Sequence, residues 1–256
     1  MLNGLALDDA LRWTERLTGL AIFVGTLELL ALRRHCADDG IWRWRTLQPE
    51  LPWLAPLLAY RPFVAVLFLQ AATAMALMAG AGRGTALVLW ITSLLVCLRF
   101  RGTFNGGSDA MQMVLLSALV LAQWDPSRPV LVQAALLYIA VQLTLSYVLG
   151  GIAKWRQAEW RQGTALAAFV DSPQYGVPPL LQRLLRRPRI SMAASAGILL
   201  FECAMPVAWF STATALVVVG MAFGFHLANV ALFGLNRFLL LWTAAYPALL
   251  YAASRS

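Results

Sequence analysis

Of the 20 lysines and arginines in this chain only one is a lysine, Lys154, in the stretch GGIAKWRQAEWRQG at 150–163. The two cations are not interchangeable. A guanidinium keeps its proton inside a protein, whereas an amine withdrawn from water and set near other cations falls toward neutrality and can serve as a base or nucleophile. Arg156 and Arg161 supply such cations nearby in sequence, and the apolar run YVLGGIA leads straight into Lys154. That run puts the lysine at a helix end, with Trp155 and Trp160 as interfacial anchors. A coding bias toward arginine would also leave a single lysine, so the candidacy rests on setting as well as rarity.

Polar residues inside apolar stretches mark four further places, because such groups are costly without a partner or a cavity. In RFRGTFNGGSDAM (99–111), Arg99, Arg101, Asn105 and Asp109 lie between two apolar stretches. Gly106 and Gly107 there allow a sharp turn or a close approach to a ligand, with amides free for an anion or a carbonyl. A plain interhelical turn capped by Ser108 or Asp109 uses the same residues. FGFHLANVALF (223–233) sets His226 and Asn229 three apart on one helix face, where a histidine is either an interhelical hydrogen-bonder or a catalytic group. Glu202, in FECAMP (201–206) just before the helix-perturbing Pro206, calls for a partner, with an arginine or His226 expected. Glu28, close to Arg33, is the fourth. His35 and His226 are the only histidines and Cys36, Cys97 and Cys203 are isolated, so neither a metal nor a dithiol centre is expected. A serine-protease pair of Ser108 and His226 is chemically possible. Ser108 nevertheless sits between Gly107 and Asp109, as a helix-capping serine would.

The elements that must hold these groups are membrane helices. Hydrophobic residues make up 60% of the chain and charged ones 12%, with a mean hydropathy of +0.69, which excludes an ordinary soluble domain. Apolar stretches fall at 16–32, 62–80, 85–98, 110–124, 129–153, 190–210, 213–233 and 237–252. The expected fold class is all-α, a polytopic integral membrane bundle of about eight transmembrane helices. The range is six to eight, because the third and fourth stretches are short enough to tilt or to pair as a re-entrant hairpin. No internal repeat or low-complexity linker divides residues 1–256, which read as one transmembrane domain. Most lysines and arginines follow the odd-numbered spans, so the positive-inside rule turns those loops to the cytoplasm and both termini outward. Asp8 and Asp9 precede Arg12 and the first apolar stretch runs on as a span, the pattern of an anchor rather than a cleaved leader. The net charge of +8 is spread as arginine over membrane-flanking loops, RRPR at 186–189 among them, which points to membrane lipids as partners and not to nucleic acid. The expected location is a bacterial inner (plasma) membrane.

Taken in order, FNGGSDA, GGIAKWRQAEWRQGTAL, FECAMP and FHLANVALF resemble the horizontally transferred transmembrane (HTTM) domain family, whose relatives include the vitamin K-dependent gamma-carboxylases. The resemblance spans most of the chain. Its lysine segment matches a pattern of glycine, two residues, lysine, then tryptophan and glycine, and its histidine segment matches at His226, Asn229, Leu232 and Phe233. It implies that Lys154 is the base that deprotonates a reduced vitamin K-type quinone, whose anion reacts with O2. The strong base so formed removes a proton from a glutamate side chain, CO2 adds, and the quinone leaves as an epoxide. A base shielded from water beside an apolar pocket suits a lipid substrate. By the same resemblance His226 is catalytic and lines the quinone pocket, and Asn105 belongs to the turn that closes it. Gly106, Gly107, Asp109, Asn229, Arg99, Arg101, Trp155 and Trp160 join the binding set, and Glu202, if near, sets the charge state of Lys154. Two departures stand out. Gly107 occupies a place where the carboxylases have histidine, and they carry a large propeptide-recognising extramembrane portion without counterpart in residues 1–256. The expectation therefore centres on the quinone half of the chemistry, with a peptide or partner protein as a further ligand. A non-catalytic accessory protein for peptide export, immunity or lipid handling is the alternative.

Overall fold

A computed structural model describes residues 5–47, 52–100, 106–172 and 175–255. Every regular element among them is helical. Eight helices of 16 residues or more fall on the eight apolar stretches: α1 Leu7–Ala31, α2 Tyr60–Met78, α3 Thr85–Phe100, α4 Gly106–Trp124, α5 Pro129–Arg156, α6 Pro188–Cys203, α7 Thr212–Phe233 and α8 Asn236–Ala253. Their ends follow local chemistry. Pro129 and Pro188 open α5 and α6, where a missing N–H costs nothing. A reciprocal capping box between Ser211 and Thr214 starts α7, and Gly234 in the left-handed region ends it. Past Cys203 the chain tightens into a 3₁₀ turn, Met205–Phe210, that begins around Pro206.

Three helices, α2, α5 and α7, are long and apolar enough to cross a membrane. The other five are shorter or less apolar, so of the expected six to eight crossings length and hydropathy support three among the described residues. α7 carries the plainest signal: its mean hydropathy is 2.0, yet only 11% of its span is buried within the protein. An apolar surface of that extent is stable against hydrocarbon rather than water, and with it the protein reads as a membrane protein. The 28 residues of α5 make about 42 Å of helix, more than a hydrocarbon core of ~30 Å, so one end lies beyond it.

The chain divides into two compact units, residues 5–139 with 240–248 and residues 140–239 with 249–255. In the N-terminal unit α1 packs along α2, and α3 packs between α2 and α4. Its apolar core surrounds a ladder of uncharged polar groups. Thr26 donates to Gln70 (3.0 Å), and the Gln70 and Gln112 amides both donate to Ser93 (3.0 and 2.7 Å), tying α1, α2, α3 and α4 together. In a low-dielectric interior such donors and acceptors must satisfy one another. The C-terminal unit holds the rest of α5 with α6 and α7, and a small core of Leu166, Val170, Val177 and Leu185 formed within the long connection between α5 and α6.

Candidate functional site

The C-terminal unit brings Lys154 and Glu202 together across 48 residues of sequence. The ammonium nitrogen of Lys154 donates to both carboxylate oxygens of Glu202 at 2.8 Å. The lysine side chain is 27% exposed and the glutamate only 6%, so the pair opens to its surroundings on the lysine side. What seats this pair is a glycine step on α5. A Cβ at Gly151 would stand 2.8 Å from Cys203 Sγ and 3.0 Å from Glu202 Cβ, and one at Gly150 would stand 3.6 Å from Lys154 Nζ. Without a side chain at Gly151 α6 approaches α5 closely, and Glu202 comes within reach of the lysine one turn along.

The segment after Lys154 folds back to cover it. Lys154 Nζ lies 5.6 Å from the centre of the Trp160 ring, a cation–π contact, while Trp155 points outward. Gly163, at φ +77°, makes a turn that a side chain would obstruct, since its Cβ would meet the Met192 backbone at 2.5 Å. Ser191 at the start of α6 donates to the Gly163 carbonyl and fastens that turn. The glycine, lysine, tryptophan and glycine of the sequence pattern thus serve one purpose, which is to present an amine between a carboxylate and an indole. Of the two arginines nearby in sequence, Arg161 donates to the backbone carbonyl of Trp155 (2.7 Å). Glu202 finds Lys154 rather than an arginine or His226, because its side chain leaves α6 toward the glycine step.

His226 is 3% exposed, and its Nε2 is 2.7 Å from the hydroxyl of Tyr147. Tyr147 and Lys154 are seven residues apart on α5, two turns along the same face. Rings surround the pair: Phe201 packs edge-on against Tyr147 at 5.5 Å, Phe225 lies 5.7 Å from Phe201, and Phe238 stacks on His226 at 6.3 Å. Two polar pairs, Lys154–Glu202 and Tyr147–His226, therefore sit along α5 with α6 and α7 against them.

The HTTM domain family matches residues 49–253, which is most of the chain. The chain belongs to the HTTM domain family. That domain is associated with vitamin K-dependent carboxylase-like membrane proteins. No curated protein and no solved structure gives a significant match.

In this HTTM protein the remaining expected residues are divided. Asn229 is half-buried one turn after His226, and its carbonyl helps close the end of α7. Arg101 and Asn105 lie outside the described residues. Gly106 and Gly107 open α4 without positive φ, Ser108 is buried, and Asp109 sits in the first helical turn, so the helix starts before the residues expected to cap it. Arg99 belongs to the N-terminal unit and is wholly buried. Its guanidinium donates to the carbonyls of Trp42 (2.6 Å) and Cys36 (3.4 Å) and lies 5.3–5.8 Å from the rings of Phe63, Trp44 and Phe100. Ser108 and His226, considered as a protease pair, belong to different units. Sequence reasoning missed Tyr147 and the step at Gly150–Gly151. The signal for both was present: Tyr147 is two turns before Lys154, and paired glycines next to the one lysine mark close helix packing.

Proposed function

We propose that this HTTM protein is a carboxylase-like membrane enzyme that oxidises a reduced lipid quinone of vitamin K type to its epoxide, with Lys154 as the base. The observation that carries the reading is the Lys154–Glu202 pair: an amine half-open to its surroundings, held by a nearly buried carboxylate, in a unit whose outer faces are apolar. The amine must be free of its extra proton before it can accept one from a hydroquinone hydroxyl. Glu202, at 2.8 Å, is placed to take that proton without movement of a heavy atom. Trp160 and Glu202 then steady the ammonium formed when Lys154 receives the substrate's proton. Hydroquinone and one O2 balance as epoxide and water, with four electrons passing from the ring to O2, two at the hydroquinone oxygens and two at the carbons that take the epoxide oxygen. Where a carbon acid and CO2 are also present, the base generated in that step can be used to carboxylate it. Tyr147 and His226, hydrogen-bonded among aromatic rings, suit the binding of an oxygen-bearing ring system.

The test is epoxide formation by the full chain in lipid, given reduced vitamin K-type quinone and O2, with Lys154→Ala and Lys154→Arg beside wild type. Both variants are expected to lose about 10²–10⁴-fold in rate, the contribution of a positioned base. Full activity in Lys154→Arg removes the proposal, since a guanidinium cannot act as the base. A second reading follows from the same contact: Lys154–Glu202 also joins α5 to α6, and a purely structural pair would serve a non-catalytic lipid- or peptide-handling protein. That reading expects no epoxide from wild type and a cellular phenotype that survives Lys154→Arg.

A further inference from the structure

We infer that Arg83 and the two grooves beside it hold one anionic phospholipid at the membrane surface, with its phosphate on the arginine and one acyl chain starting down each groove. Such a site stands whether or not the chain oxidises a quinone. It lies within the N-terminal unit, where the apolar span α2 ends at Met78 and a short turn, residues 79–84, leads into α3. Arg83 belongs to that turn. Trp124, at the end of α4, is 78% exposed. Arginine and tryptophan just past the end of an apolar span sit where hydrocarbon gives way to headgroups, which is the depth of a lipid phosphate.

Arg83 and Gly84 line both grooves, so the two hollows share one mouth. The larger, about 460 Å³, lies between α2 and α3 against Ala72, Ala76 and Val88. The smaller, about 180 Å³, lies between α3 and α4 against Leu87, Val120 and Trp124. Each follows α3 for about one turn, ~5 Å, which seats a glycerol and the first methylenes of a chain. The turn at the mouth is fixed in place. Thr85 donates to the Gly82 carbonyl (3.2 Å), and the Ala86 N–H donates to the Gln123 side chain on α4 (3.1 Å). Gly84, at φ +95°, has no atom within 4 Å of where a Cβ would stand, so the space over it is open. The cation at the mouth is available. Among the described residues Arg83 makes no ion pair, whereas Arg12 is bound to Asp9 (2.6 Å) and Arg128 to Asp125 (3.1 Å). Asp125, which feels the charge of Arg83, is itself held by Ser127 and Arg128. Two apolar grooves that meet at one free cation match a molecule with two chains and one phosphodiester. A single-chain amphiphile leaves one groove empty, and a zwitterionic phospholipid brings its own ammonium to the arginine.

The experiment is native mass spectrometry of the full chain in detergent, titrated with phosphatidylglycerol and phosphatidylcholine of identical acyl chains. Wild type is expected to retain one phosphatidylglycerol in preference to phosphatidylcholine. Arg83→Gln should weaken that binding about fivefold, the worth of one arginine beside an anionic lipid. Arg12→Gln, whose arginine is already paired, should leave it unchanged. Ala76→Leu keeps the cation but fills the larger groove, and should also weaken phosphatidylglycerol binding. Lyso-phosphatidylglycerol, with one chain, and glycerol phosphate, with none, should each compete less well than the two-chain lipid. Equal retention of the two phospholipids by wild type overturns the inference, as does unchanged phosphatidylglycerol binding in Arg83→Gln or in Ala76→Leu. Competition by glycerol phosphate as strong as that by phosphatidylglycerol also overturns it, and marks a site for a free anion instead.

Discussion

The two units bury polar groups in opposite ways. In the N-terminal unit the ladder Thr26–Gln70–Ser93–Gln112 is uncharged and buried, and the charge of Arg99 is shut among three rings and two backbone carbonyls. In the C-terminal unit the charged pair remains open on the lysine side, with the lysine 27% exposed. In the ladder the hydrogen bonds are met by the protein and hold helices together, whereas Arg99 bonds through Nη2 alone and keeps Nε and Nη1 buried without a hydrogen-bond partner. An ion pair left half-open can exchange a proton with a third molecule. Polarity at membrane depth is thus a weak pointer to chemistry, and accessibility is what divides scaffold from site.

The largest expected effect tests the closed half. Arg99→Ala removes two carbonyl hydrogen bonds and the filling of a ring-lined cage, and should lower stability by about 3–5 kcal/mol in thermal unfolding in detergent. Epoxide formation should fall only with the folded fraction. A folded Arg99→Ala protein without activity would break the division and join Arg99 to the site. Glu202→Ala should cost about 2 kcal/mol, less than for a fully buried pair because Lys154 keeps some contact with its surroundings. Its rate should fall much more than its stability, and a parallel loss would make the pair structural.

Gly151→Ala sharpens the account of how the pair is positioned. The added methyl meets Cys203 and Glu202 at 2.8–3.0 Å, so overpacking should cost about 1–3 kcal/mol and the rate should drop as the carboxylate is pushed from the amine. Gln70→Leu removes hydrogen bonds from the ladder and should cost about 1 kcal/mol with no change in KM. The smallest effect lies in the exposed turn after α4, where the Ser127 hydroxyl holds the Asp125 carboxyl below the usual carboxylate range. A depressed folded-state pKa contributes stability above the unfolded value and loses it as pH falls through the folded one. The small difference in melting temperature between wild type and Ser127→Ala should therefore be present at neutral pH and be lost as pH falls through and below the usual carboxylate range.

Much of this was legible before any contact was known. Hydropathy located all eight long helices because a run of apolar residues is a local property, and Pro129, Pro188 and Gly234 mark ends for equally local reasons. Lys154, Glu202 and His226 were also singled out, since each is a polar residue within an apolar stretch. Their partners were not. The arginines near Lys154 in sequence lie along the chain, while the carboxylate that meets it comes from another helix. The same holds for His226 and Tyr147, 79 residues apart.

The sequence by itself determined a helical membrane protein, the positions of its helices and the few residues able to do chemistry, because those follow from composition and from periods of one or two turns. Only the tertiary structure decided which of those residues meet. Pairing across helices depends on the rotation of each helix and on the distance between their axes. Here the missing side chain at Gly151 sets that distance, and a single added methyl would change it.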